Sequence, residues 1–202
     1  MTTPLQTPED VCNYALRRIG YPMSINNLLD GSRASMALLK VYGQTRDALL
    51  TEIDWDFAER SIGGTLQKQA PQSYVTTPWT NAYPCLPWRY QYAFPSDGLK
   101  IRGVKNQPVS IWDFDPRYNR FSVDNDNTLS PAQKVVLTDV ASAIIIYTGQ
   151  ITNPNDWSPS FLDALADRLG QAAAPVLMGL DNTKLAAAER QGDEPIAAET
   201  RT

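Results

Sequence analysis

Histidine is absent from this chain of 202 residues. That absence removes Ser-His-Asp and Cys-His catalysis and every metal site built on imidazole. Cysteine is almost as scarce: Cys12 and Cys85 are the only two. Two distant cysteines make neither a zinc site on their own nor a disulfide framework. Long apolar runs are missing too. The longest, Ala141 to Tyr147, fits a buried strand or helix segment and falls far short of the ~20 residues a membrane helix needs. Nothing at the N-terminus reads as a signal peptide, so the expectation is a soluble protein made in a reducing cytoplasm, with no membrane partner. Positive charge is in the minority, 18 Lys and Arg against 22 Asp and Glu, for a net charge of −4. Such a chain has no general electrostatic reason to grip nucleic acid, whose binding is dominated by phosphate neutralisation. It can still surround DNA without holding it. No GxGxxG, P-loop, GxSxG or CxxC motif occurs.

What is present belongs to a globular protein, 43% hydrophobic and 20% charged. The length fits one domain, or one domain with an insertion. Thr7-Pro8-Glu9-Asp10 is a helix start: a capping threonine, proline at the first helical position, and acids at the positive end of the dipole. Val11, Cys12, Ala15, Leu16 and Ile19 follow at helical spacing, and Gly20 supplies the stop. Cys12 on that apolar face reads as a buried free thiol. A second helix is predicted from about Ser32 to Glu52, capped by Asp30 or Ser32, with Ala34, Leu38, Val41, Thr45, Ala48 and Leu49 as its stripe. Gly43 inside it points to close packing there. Trp55-Asp56-Phe57-Ala58 reads as an exit strand.

Prolines at 71, 78, 84 and 87 make 65–90 an extended loop pinned by aromatics. Arg89 to Phe94, Leu99 to Val104, Ser110 to Asp113, Arg120 to Val123 and Lys134 to Leu137 are short strand candidates between turn residues. Helix returns at Ser158-Pro159, with Phe161, Leu165, Leu169, Ala172 and Val176 as the buried stripe, Asp163, Asp167 and Gln171 facing away, and Pro175 expected to kink or end it. A short helix is expected over Lys184 to Gln191, followed by an extended tail. The resulting fold class is α+β, mainly α: a helical-bundle core with a small antiparallel β insertion and an extended C-terminal tail. By segment, 1–64 is the N-terminal helical part of the core, 65–150 the proline and aromatic loop with the β insertion, 151–180 the C-terminal core helix, and 181–202 the tail. Leu38, Leu49, Phe57, Leu165 and Leu169 are the expected core positions of greatest sensitivity.

Two clusters carry candidate chemistry. Asp54 and Asp56 flank Trp55, with Glu52 and Glu59 close by. Paired carboxylates serve glycoside hydrolysis, but two aspartates sharing one face of a strand, without a cleft, read as a solvated or inter-subunit acidic edge. Tyr74, Trp79, Tyr83, Trp88, Tyr90 and Tyr92 could stack sugars or single-stranded bases; packing of a proline-rich loop and a small sheet is the plainer reading. Arg17-Arg18, the densest basic pair, reads as a solvated helix end. These residues support no enzyme, no cofactor and no metal.

Four blocks stand in order along the chain: CNYALRRIG with a polar turn and DGSRAS; YGQTRDALLTEIDWDFAERS; LPWRYQYAFPSDGLKIRGV; and IIIYTGQITNPNDWSPSFLDALADRLGQAAAPVL. In these blocks the chain resembles the tail tubular protein A family of short-tailed bacteriophages and related head-to-tail connectors, or portal adaptors. The resemblance implies a structural virion protein at the phage neck. Its partners would be the portal protein, a tail nozzle or tube protein, and further copies of itself in a ring, commonly of twelve, with DNA passing through the lumen during ejection. It also implies a portal-docking role for the tail through Lys184, Leu185, Arg190, Ile196 and Arg201, and an inter-subunit edge at Asp54, Trp55 and Asp56. The alternatives are a tail-completion protein distal to the adaptor, a tail-associated peptidoglycan hydrolase, and a DNA-binding packaging factor.

Overall fold

The computed structural model describes residues 7–73, 77–106 and 118–178. Three α-helices and seven strands in two antiparallel sheets are found among them: α1 (Pro8–Arg18), α2 (Arg33–Glu52), β1 (Glu59–Gly63), β2 (Leu66–Gln69), β3 (Tyr90–Ala93), β4 (Gly98–Asn106), β5 (Phe121–Asp126), β6 (Gln133–Thr138), β7 (Ala143–Gly149) and α3 (Pro159–Met178). The chain divides into two compact units, one drawn from 1–49 and 152–202, the other from 50–151.

In the helical unit, the capping box at Thr7 forms as its residues require. The Asp10 N–H donates to the Thr7 hydroxyl at 3.1 Å and the Thr7 N–H to the Asp10 carboxylate at 3.1 Å. Gly20 takes φ +73°, which closes α1. Ser32 caps α2, its hydroxyl accepting from the Ser35 N–H at 3.1 Å, while Asp30 accepts from the Ser32 N–H at 2.8 Å. The Ser35 hydroxyl, and then the Ser32 N–H and hydroxyl, hold the Asp30 carboxyl at about 2. Ser158 caps α3 through the Phe161 N–H. Arg18 at the end of α1 is not merely solvated: it reaches Asp163 at 3.1 Å and Asp167 at 2.9 Å on α3.

The helical faces are rotated from those the sequence marks. On α2, Ala34, Leu38, Tyr42, Arg46 and Leu49 are buried, whereas Ala48 is exposed. On α3 the buried run is Phe161, Leu165, Leu169, Ala173 and Leu177, with Ala172 and Val176 exposed. Pro175 does not end α3: it lies inside the helix, which runs on to Met178, the last of the described residues. Gly43 has no atom within 4 Å of where its β-carbon would lie, so the close packing expected there is absent.

The helical-bundle core with a small insertion is overturned, because the strands form a unit with its own core. One sheet has the order β1-β7-β4 and the other β2-β3-β6-β5. Glu59 lies opposite Thr148 and Gly63 opposite Ile144, so β1 pairs with a strand more than eighty positions away. The alternate residues Ala143, Ile145 and Tyr147 of β7 pack with Ile101 and Val104 of β4, and with Tyr92 and Val136 of the second sheet. The fold is therefore β-rich. Strands β1 and β2 lie in segments that read as helical core and loop, and Trp55 to Ala58 is no strand: Asp56–Ala58 is a single 3-10 turn. Phe57, expected in the core, is only half-buried. The strand expected at Ser110 to Asp113 and the helix expected at Lys184 to Gln191 lie outside the described residues.

Candidate assembly edge

The acidic segment acquires its shape from β4. Lys100 and Arg102 are two apart on that strand, and both reach the 54–59 corner. Lys100 Nζ donates to Asp54 Oδ1 at 3.0 Å. Arg102 divides its donors three ways: Nη2 to the Trp55 carbonyl at 2.6 Å, Nη1 to Glu59 at 3.2 Å, and Nε to the Thr148 hydroxyl at 2.9 Å. Asp54 lies a further 3.7 Å from its Nε. The Arg102 side chain is only 6% exposed, so its charge is tolerable because the guanidinium fork meets carboxylate and carbonyl acceptors at once. The Trp55 carbonyl also accepts from the Ala58 N–H at 3.1 Å. The Trp55 and Phe57 rings lie 6.0 Å apart, tilted at 40°. A corner that lacks regular secondary structure is thus held at several points from one neighbouring strand.

The corner runs straight into β1, the end strand of its sheet, whose five residues are all exposed. Glu59 and Arg60 place charge at its start, which restrains indiscriminate pairing, while Ile62 is 48% exposed. Arg60 is anchored to Asp97 at 2.6 Å, and Asp97 also accepts from the Tyr147 hydroxyl at 2.9 Å. Asp54 and Asp56 are exposed and Trp55 is half-buried. The arrangement offers a surface of carboxylates, a partly open indole and, among the described residues, a strand edge with no partner strand. Asp54 is already ion-paired with Lys100.

Of the residues singled out by sequence, Asp54, Trp55 and Asp56 sit together on this edge, though on a corner and not on one strand face. Lys184, Leu185, Arg190, Ile196 and Arg201 lie outside the described residues. Lys100 and Arg102 are the neighbours of this corner that the sequence does not mark, while Glu59 is marked only as a nearby acid. The available signal was the pair of cations at period two on a strand, matched to an acidic run elsewhere in the chain. Comparison of the chain with protein-family models and with curated proteins finds no match in either.

Proposed function

We propose that this protein is a head-to-tail adaptor of a bacteriophage, forming a ring beneath the portal that extends the DNA channel, helps retain the packaged genome and offers a platform for tail or nozzle proteins. The observation that carries the reading is the set of four sequence blocks in family order. They fall on α1 and the start of α2, on the end of α2 through the clamped corner to β1, on β3 and β4 with the turn that joins them, and on β7 through α3. Two of these blocks build the assembly edge, since one contains Asp54 to Glu59 and another contains Lys100 and Arg102. A rigid, exposed edge is what a heterologous ring contact requires, because every copy must meet its neighbour in one register. The acidic balance of the chain supports passage of DNA without adhesion. The test is to mix the purified protein with the portal protein encoded by the same genome and examine the particles by electron microscopy. A ring seated on one end of the portal is the expected result; absence of binding, with both proteins folded, overturns the reading.

A further inference from the structure

The face of the β2-β3-β6-β5 sheet that points away from the shared core mixes polar side chains with the buried Val135 and Leu137. Lys68 on β2 stands opposite Gln91 on β3, Gln91 opposite Leu137 on β6, and Val135 opposite Asp124 on β5. Tyr92 and Val136, one position along, belong to the core on the other face. The proline-rich segment returns to this face, and Trp79, Asn81, Tyr83 and Cys85 line the same cavity of about 190 Å³ as Lys68, Gln91, Val135 and Leu137 of the sheet.

The cavity floor is a finished hydrogen-bonded network. Asp126, 9% exposed, accepts from Lys68 Nζ and Gln91 Nε2, each at 2.6 Å, and from the Thr128 hydroxyl at 2.6 Å. Lys68 also donates to Thr128 Oγ1 at 2.8 Å. The Trp79 indole N–H is held by the Pro84 carbonyl at 2.9 Å, which fixes the ring in the loop. Around this floor, Asn81, Asn125 and Asn127 add amides and Asp124 adds a second carboxylate. Among the described residues, no hydrogen bond engages the side-chain amides of Asn81 or Asn127.

We propose that this cavity is a binding site for a neutral pyranose sugar, free or at the end of a glycan. Such a ring has an apolar C–H face and a rim of hydroxyls. Trp79 and Tyr83 supply aromatic surface for the first. Amides and a carboxylate, which together both donate and accept, suit the second. The volume accommodates one six-membered ring and is well below the roughly 300–1,000 Å³ of sites for larger ligands. Charge selects against anions: Lys68, the one cation among the described lining residues, is already paired with Asp126, which leaves the Asp124 carboxylate as uncompensated negative charge there. Nucleotides, phosphosugars and uronic acids are thereby disfavoured. This inference is independent of the adaptor reading.

Cys85 makes the test direct, because it lines the cavity and is exposed. Cys12 is buried, and burial, then the Glu9 charge, push its thiol up to about 12, so alkylation at neutral pH reads Cys85 alone. Maleimide labelling of the full chain is followed with methyl glucoside, methyl galactoside, methyl mannoside and methyl N-acetylglucosaminide, each at millimolar concentration, with glucuronate, ATP and sorbitol as controls. At least one neutral pyranoside is expected to slow labelling about fivefold at about four times its dissociation constant, and the controls are expected to leave it unchanged. Trp79→Ala should abolish the protection. Asn81→Ala, which removes no side-chain hydrogen bond among the described residues, should weaken it while leaving the thermal transition in place. Failure of every pyranoside to protect overturns the proposal. Equal protection by ATP, glucuronate or sorbitol, or protection undiminished in folded Asn81→Ala, overturns it as well.

Discussion

Gly170 of α3 packs against Ala15 of α1 with no room for a side chain. A β-carbon at Gly170 would stand 3.2 Å from the Ala15 carbonyl oxygen and 2.8 Å from Ile19 Cγ2. Neither neighbour is the free end of a long side chain, so the helices themselves would have to separate. Gly170→Ala gains about 1 kcal/mol of helix propensity, but overpacking costs about 1–3 kcal/mol, and the expected outcome is a net loss of stability. Gly43→Ala carries the same propensity gain into open space and should stabilise by about 0.5–1 kcal/mol. Chemical denaturation of the two variants should therefore give shifts of opposite sign.

That contrast shows which information was legible in the sequence. Both glycines sit inside helices with apolar neighbours, and only the three-dimensional approach of α1 to α3 separates them. The ends of the helices were readable, because Thr7, Gly20, Ser32 and Ser158 act on their own next few residues. The faces were less so. Tyr42 and Arg46 continue the buried line of Leu38, but their polar ends disguise amphipathic side chains that bury most of their length. The β-rich architecture was hidden for another reason. Strand β1, Glu59 to Gly63, is wholly exposed and shows no alternation, and it is specified by pairing with Ile144 to Thr148 of β7 and by the distant ion pairs of Glu59 with Arg102 and of Arg60 with Asp97. Of the candidate edge, the acids could be read directly, whereas the Arg102 fork that shapes them depends on that distant pairing.

Arg102 should prove more important than its single charge implies. Arg102→Met removes the donors to the Trp55 carbonyl and to Thr148, which is itself fully buried. Leaving a buried acceptor unpaired costs about 1–3 kcal/mol, so the β-rich unit should be destabilised by at least that order. Arg102→Lys keeps the charge but lacks a planar fork able to reach three acceptors, and should recover little of the loss. Hydrogen exchange should accelerate at the Ala58 amide in both variants. A lysine variant as stable as the parent would show that charge alone holds the corner.

Asp126 predicts an acid-sensitive fold. Burial by itself would raise its pKa, but the bonds from Lys68, Thr128 and Gln91 outweigh burial and hold the carboxyl well below the usual carboxylate range. A folded-state pKa lower than the unfolded value of about 3.9 contributes stability that is fully present above that value. It is lost as the pH falls from there towards the folded-state pKa. Asp30, held at about 2, acts in the same direction. The denaturation midpoint should therefore fall steadily below about pH 4. Asp126→Asn should flatten that acid limb and cost about 1.5–3 kcal/mol at neutral pH, the range for hydrogen bonds to a charged group. An unchanged acid limb in this variant would show that other carboxylates govern the response.

The C-terminal segment separates the docking reading from the assembly-edge reading. Residues 181–202 carry five acids and three bases, with Leu185 and Ile196 as the only large aliphatic side chains. Two anchors per copy give weak binding on their own. A ring engages many copies at once, and linked copies bind with an avidity far above that of one segment. Under the proposed adaptor function, deleting 182–202 should leave the thermal transition unchanged, because the helix N-caps, the α1–α3 contact and both sheets lie within 7–178. The truncated protein should lose binding to portal particles, measured by co-sedimentation. Substituting Leu185 and Ile196 together by serine in the full chain should reproduce most of that loss. If the truncated protein still decorates portal with undiminished affinity, the docking residues lie elsewhere, and Lys184, Leu185, Arg190, Ile196 and Arg201 have no part in it. Loss of the thermal transition on truncation would instead make the segment part of the fold.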